Sequence, residues 1–324
     1  MSKALGLLSG GLDSCLAALC LKRQQVDVTC IAFVTPFFGS RNAERMAEQL
    51  GIPLLVENIS EVHLDMVKAP RYGYGKNMNP CIDCHAMMFR LAGETMAREG
   101  YDFLFSGEVL GQRPMSQNAN ALRSVANFSG HPDRILRPLS AKVLPITTME
   151  EQGLVDRESL LDIQGRSRKR QEALAREWGL VDYPSSGGGC LLTEKHFSDR
   201  LRDLFEHQPD CSVAEVELLK VGRQFRLSDH AKLTLGRHQN DNESIRASAK
   251  PEHILLHTPG IAGPVGLVTG QPDASDLAMA ASITASYGKG KDLSEVSVQT
   301  ETGGVKHILT VQPMPRGESE KLIL

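Results

Sequence analysis

Ser9-Gly10-Gly11-Leu12-Asp13-Ser14, near the start of a 324-residue chain, is the stretch whose reading decides the fold. Ahead of it runs the apolar Ala4-Leu5-Gly6-Leu7-Leu8, and behind it Leu16, Leu19 and Cys20 recur at helical spacing. That succession predicts a strand, a glycine turn and a helix. Adjacent glycines let backbone N–H groups turn towards an anion, and the first turn of the helix adds its positive dipole end. Ser9 and Ser14 can donate hydroxyl hydrogen bonds to phosphate oxygens. Asp13 meets a phosphate only through a cation, which implies Mg²⁺ carried on a nucleotide. The loop has neither the lysine of a Walker motif nor the three spaced glycines of a dinucleotide fingerprint.

Outward from this loop, strand-like and helix-like segments alternate from Met1 to about Leu139. Val26–Val34 reads as a strand, Arg41–Leu50 as a helix with Ala43, Met46, Ala47 and Leu50 inward, Leu54–Glu57 as a strand, and Asp102–Phe105 as another. Such alternation predicts an α/β fold, a parallel sheet covered by helices, with ligands at the carboxyl ends of the strands. The opening loop lies at that end, as do Phe33 on the second strand and the segment Ser106–Gln117. In that segment Gly107, Arg113 and Gln117 are candidates for nucleotide or phosphate contact.

The length predicts two or three domains. The apolar N-terminal stretch is interrupted at once by Ser9-Gly10-Gly11, so neither a signal peptide nor a membrane span is expected, and a cytoplasmic address follows. In that compartment the seven cysteines point to metal or sulfur chemistry rather than to structural disulfides. A net charge of −3 excludes a chain that is basic all over but leaves room for local basic patches against nucleic acid.

Cys81 and Cys84 form a C-x-x-C pair at the start of a helical pattern carrying Met88, Leu91, Ala92 and Met96. A helix N-terminus lowers a thiol's pKa and so favours the thiolate. Cys190 offers a third sulfur behind Gly187-Gly188-Gly189, a run that lets backbone approach something closely. The pair alone is compatible with zinc, a dithiol or an iron–sulfur cluster. Zinc usually takes four protein ligands, no second C-x-x-C is present, and His85 stands awkwardly next to Cys84. Three thiolates suit a 4Fe-4S cluster with one open iron that can bind an exogenous sulfur. Cys15, Cys20, Cys30 and Cys211 read as small hydrophobes.

Ser167–Leu180 reads as a helix that opens on Arg166, Arg168, Lys169 and Arg170, either a solvated face or an RNA contact. Thr193–Gln208 is a further helix. Beyond Val221 short strands at Gln224–Leu227, Ala231–Leu235, His253–His257, Val265–Val268, Val296–Thr300 and His307–Gln312, with a helix at Asp276–Tyr287, predict a separate α+β domain. The expected organisation is 1–195, a helical linker 196–220, and 221–324.

The Ser9–Ser14 loop resembles the SGGxDS loop of the ATP pyrophosphatase superfamily, enzymes that adenylate a substrate and release pyrophosphate. In that superfamily the end of the second strand, here Phe33, lies near the adenine. Asn79-Pro80 followed by Cys84, with Cys190 downstream, is similar to the tRNA 2-thiouridylase pattern, in which two cysteines handle a persulfide. The departure is Cys81, where that family typically carries Asp; it makes the set resemble the cluster-dependent tRNA thiolation enzymes of the same superfamily. Val221–Leu227, Leu235-Gly236-Arg237 and Asp241-Asn242-Glu243 resemble the RNA-binding domain of the NFACT proteins, with Arg223, Arg226, Arg237 and Lys289 as phosphate contacts. The resemblance implies a cytoplasmic tRNA sulfurtransferase using ATP, Mg²⁺ and a 4Fe-4S cluster on Cys81, Cys84 and Cys190, with sulfide or a persulfide carrier as sulfur donor. A cluster-free persulfide route through Cys84 and Cys190, an amidation-type ATP pyrophosphatase, and a non-catalytic RNA-binding protein are the other readings.

Overall fold

The first strand, β1 (Lys3–Leu7), ends at the glycine loop and passes into α1 (Leu12–Lys22). This is a computed structural model, which describes residues 1–184 and 189–324. Two units can be distinguished, Met1–Thr193 and Glu194–Leu324.

In the first unit β2 (Asp27–Val34), α2 (Arg41–Leu50), β3 (Leu54–Asn58), α3 (Ser60–Lys68), α4 (Cys81–Glu99), β4 (Phe103–Phe105), α5 (Ala119–Phe128) and β5 (Ile135–Leu136) follow in order. The five strands pair in the order β3-β2-β1-β4-β5, every pairing parallel, with Leu5 opposite both Thr29 and Leu104. This is the expected α/β architecture. The sheet reads as apolar runs because both of its faces are covered. One face packs Ala4, Cys30 and Phe105 with Leu16 and Met46 of the helices, and the other packs Leu5, Ile31 and Leu104 with Phe89 and Val125. Gly6 is required between the two: a Cβ there would lie 2.1 Å from the Phe105 ring. Short α6 (Thr148–Glu151) and α7 (Lys169–Glu177) complete the unit, with Ala175 and Leu180 closing the first face.

The second unit begins with α8 (Lys195–His207) and α9 (Val213–Leu218). Then come β6 (Arg223–Ser228), β7 (Ala231–Leu235), α10 (Gln239–Ser248), β8 (Ile254–His257), β9 (Gly266–Gly270), α11 (Ala274–Ser286), β10 (Val296–Thr302), β11 (Val305–Val311) and α12 (Arg316–Ser319). Its six strands form an antiparallel sheet in the order β11-β10-β8-β9-β7-β6. Phe225, Leu233, Leu256 and Val298 of the sheet pack with Ala281 and Ile283 of α11. Helix α10 was not expected from periodicity. It is started by His238, whose Nδ1 accepts the Asp241 N–H at 3.3 Å. Among the described residues no helix is long and apolar enough to cross a membrane.

Candidate active site

The turn between β1 and α1 is built by two glycines with different duties. Gly10 sits at φ +73°, and a Cβ there would fall 2.3 Å from the Asn42 carbonyl carbon, so only glycine fits. Ser14 Oγ donates to the Gly11 carbonyl at 2.8 Å and lies 3.3 Å from Ser9 Oγ, while the Gly11 N–H donates to Ser9 Oγ at 3.3 Å. The two serine hydroxyls thus fold over the loop and close on its own backbone. Gly107, after β4, is the second contact: a Cβ would stand 2.4 Å from the Asp13 carbonyl carbon and from the Ser14 nitrogen. Backbone at that distance cannot swing aside, so the β4 loop rests on the Asp13–Ser14 peptide only through glycine.

Asp13 has partners that lie far off in sequence. Gln112 Nε2 donates to its Oδ2 at 2.7 Å, and an Arg168 guanidinium nitrogen stands 3.7 Å from the same oxygen. Gln171, fully buried on α7, donates through Nε2 to Gln112 Oε1 at 2.9 Å and fixes which way the Gln112 amide points. Asp13 Oδ1, Arg168 Nε, Gln171 Oε1 and Gln117 Oε1 are buried and have no partner among the described residues. A carboxylate with one oxygen committed and the other vacant suits a cation, because an unpaired buried polar group costs about 1–3 kcal/mol unless something satisfies it. Asp13 therefore fits Mg²⁺.

Of the other expected nucleotide contacts, Phe33 places its side chain in the core, so only its backbone can face a ligand. Arg113 is exposed on the turn whose carbonyl accepts the Gln117 N–H at 2.8 Å. Within the basic cluster Arg168 turns to Asp13, and Arg170 pairs with Asp162 at 2.7 Å. Arg166 and Lys169 are exposed.

The cysteines gather on a second focus. Cys81 and Cys84 open α4, one turn apart. Asn79 Nδ2 donates towards Cys81 Sγ at 3.4 Å. Residues beyond Cys190 are laid along the lead-in to that helix: the Met78 N–H donates to the Leu192 carbonyl at 3.2 Å, Asn77 Nδ2 to the Thr193 carbonyl at 2.6 Å, and the Leu191 N–H to the Phe37 carbonyl at 2.9 Å. The glycine approach expected ahead of Cys190 falls largely on residues 185–188, which lie outside the described residues. Cys15, Cys20, Cys30 and Cys211 are buried, as expected of small hydrophobes.

One expectation is corrected. The start of a helix was expected to lower these thiols, but Cys84 is pushed well above its ordinary pKa, first by burial and then by the negative charge of Cys190, Cys81 and Asp83 nearby. His63, fully buried between Phe37 and Phe38, places Nε2 3.3 Å from Cys84 Sγ. Burial lowers its pKa to about 4, so its ring is neutral. Nothing local in the sequence distinguishes this histidine from an ordinary core residue.

His85 does not join the sulfurs. Its Nδ1 lies 2.7 Å from Glu108 Oε1, while Arg137 Nε donates to Glu108 Oε2 at 2.9 Å. Burial alone would raise the Glu108 carboxyl; the Arg137 charge and the His85 hydrogen bond bring it down to about 2. Among the described residues no three His, Cys, Asp or Glu side chains are placed to hold a single metal ion. Around Cys84 the described residues thus place the His63 ring at 3.3 Å and bring the Cys81 and Cys190 charges to bear on it, while His85 is held by Glu108.

Residues 1–143 match the family model described as "Thiamine biosynthesis protein (ThiI)", and residues 222–323 that described as "NFACT protein RNA binding domain". The tRNA-specific 2-thiouridylase MnmA of Methylobacterium nodulans is 28% identical over 252 residues, covering 71% of this chain and 59% of that protein. Its namesake from Marinobacter nauticus is 22% identical over 304 residues, covering 82% and 74%. The chain thus spans less than two thirds of the first of these relatives. Among solved structures, a predicted subunit of tRNA methyltransferase from Methanocaldococcus jannaschii aligns at TM-score 0.36 with 17% identity, over 55% of this chain and 76% of that one. The C-terminal part of a fibronectin/fibrinogen-binding protein from Streptococcus suis aligns at TM-score 0.30 with 16% identity, over 38% and 66%.

Proposed function

We propose that this chain is a cytoplasmic, ATP-dependent tRNA sulfurtransferase, a reading supported by the match of residues 1–143 to the ThiI model, the match of residues 222–323 to the NFACT RNA-binding model, and the likeness to tRNA-specific 2-thiouridylases. A uridine carbonyl oxygen attacks the α-phosphorus of ATP, the α–β phosphoanhydride bond breaks, and pyrophosphate leaves. The oxygen, now part of an AMP leaving group, departs when a sulfur nucleophile adds to the ring carbon. Backbone N–H groups of Gly10 and Gly11 and the hydroxyls of Ser9 and Ser14 would stabilise charge developing on the pyrophosphate. Asp13 would hold Mg²⁺, with Gln112 and Arg168 orienting its carboxylate. Cys81, Cys84 and Cys190 would hold a 4Fe-4S cluster, which when bound supplies an iron site for the incoming sulfur.

The observation that carries this reading is the Asp13 carboxylate, buttressed on one oxygen and vacant on the other, in the same unit as Cys84 and the two cysteines whose charges act on it. Incubation with α- and γ-labelled ATP and unmodified tRNA tests it. AMP and pyrophosphate are expected, and Asp13→Ala is expected to abolish both. Release of ADP and phosphate sinks the reading.

A further inference from the structure

Thiolation sets a steric condition that the sites above leave unmet. Sulfur has to approach a carbonyl carbon across the face of the uracil ring, and in a stacked helix that face is covered by neighbouring bases. The target must leave its stack, and its neighbours then need something else to stack on. The segment between α3 and α4, together with the end of α5, carries such a surface. Tyr72 and Phe128 are 44% and 42% exposed, their ring centroids are 6.0 Å apart and their planes perpendicular. The Arg71 guanidinium lies 4.5 Å from the Phe128 centroid and 6.0 Å from that of Tyr72.

This surface is held in place from both sides. Asp83, 4% exposed in the first turn of α4, accepts the N–H of Arg71 through Oδ1 and that of Tyr72 through Oδ2, both at 3.0 Å. Tyr74 Oη donates to the Val67 carbonyl at 2.7 Å, tying the same loop to α3, the helix of His63. Asp83 is flanked in sequence by the residues of the sulfur focus: Cys84 follows it and Cys81 stands two before. One buried carboxylate therefore joins the aromatic surface to the helix that presents the sulfurs.

We propose that Arg71, Tyr72 and Phe128 form a stacking platform for unpaired bases of an RNA loop, holding the substrate single-stranded beside the cysteines, with Asp83 as its positioning residue. It rests on the thiolation reading and adds that the substrate is engaged at an unpaired loop. Bases of any identity stack on aromatic faces and guanidinium planes. The Arg71 charge also meets the phosphates that flank such bases.

The test uses the full chain with two probes, an eight-residue oligouridylate containing one 4-thiouridine and the same strand annealed to its complement. Photocrosslinks of the single strand to residues 71–74 or to Phe128 are expected. The pair Tyr72→Ala with Phe128→Ala should weaken single-strand binding roughly tenfold or more and leave duplex binding unchanged, while Phe128→Tyr should bind as the parent does. Crosslinks confined to residues 222–323, with equal affinities of parent and double variant, overturn the platform and leave the thiolation reading standing. Platform crosslinks in a chain that never releases AMP would instead uphold RNA binding and remove the thiolation reading. A peptide competing for the same residues while RNA does not would assign the surface to a protein.

Discussion

Gln112 Nε2 donates to Asp13 Oδ2 at 2.7 Å across 99 residues of sequence, and Gln171 in turn holds the Gln112 amide. This chain of amides leaves Asp13 Oδ1 as the vacant oxygen. Without Gln112 the carboxylate is free to rotate, and Arg168, 3.7 Å away, can draw it off the position a cation needs.

Gln112→Ala should therefore lower kcat for AMP release about tenfold, the worth of one lost charge-assisted hydrogen bond of ~1.5 kcal/mol, and raise the Mg²⁺ concentration required. Gln171→Leu should act in the same direction more weakly. Steady-state AMP release as a function of Mg²⁺ checks both. An unchanged Mg²⁺ requirement in Gln112→Ala would show that Gln112 only packs.

The sulfur focus separates two chemistries. If a cluster is held, Cys81→Ser, Cys84→Ser and Cys190→Ser should each lower iron and acid-labile sulfide in anaerobically purified protein and abolish thiolation. On a persulfide route Cys81→Ser is nearly silent, because only Cys84 and Cys190 carry sulfur. Full activity of iron-free protein with sulfide would decide for the persulfide.

The basic residues of the second unit divide by what they touch. Arg226 donates through Nε and a terminal nitrogen to both oxygens of Asp203, at 3.0 and 2.5 Å, so its charge is already spent inside the unit. Arg237 is bound to Asp241, whereas Lys289 is exposed and Arg223 lies over the Tyr287 ring at 4.7 Å. Arg223→Ala and Lys289→Ala should each flatten the salt dependence of tRNA binding by roughly one unit of slope if they contact phosphate. Arg226→Ala should instead lower the melting temperature, since Asp203 loses both guanidinium hydrogen bonds and, among the described residues, keeps only His207 at 3.6 Å and the Lys232 charge. Binding measured at several salt concentrations, together with thermal melts, distinguishes the two classes.

Lys232 gives a pH signature. It lies on β7 with 5% of its surface exposed, and burial lowers its pKa from 10.5 to about 8, despite the attraction of Asp203; Arg226 and Arg200 push the same way as burial. The folded pKa is the lower one, so between about pH 8 and 10.5 the unfolded chain binds more protons, and stability rises with pH across that window. Below it the buried charge costs about 3 kcal/mol. Lys232→Met should raise the melting temperature at pH 7 and remove the rise above pH 8. A parent whose melting temperature falls steadily from pH 8 to 10 would contradict this.

What the sequence by itself determined is what a short window can hold. The apolar run, the glycine pair and the helical spacing after them specified the turn at Ser9–Ser14, and the alternation that follows specified a parallel sheet, because each depends on neighbours within a few residues. The C-x-x-C at a helix start was legible for the same reason. Tertiary structure alone decided which groups answer Asp13, since Gln112, Arg168 and Gln171 reach it only when α7 and the β4 loop are brought to the strand ends. It also decided that Arg168, read as part of a basic helix face, faces a carboxylate, that Arg226 is consumed by Asp203, and that His63 stands at Cys84. A thiol's proton affinity likewise depends on what surrounds it in space. At Cys84 burial and two neighbouring sulfurs, one of them more than a hundred residues away in sequence, raise that affinity, where the local pattern announced only a helix end.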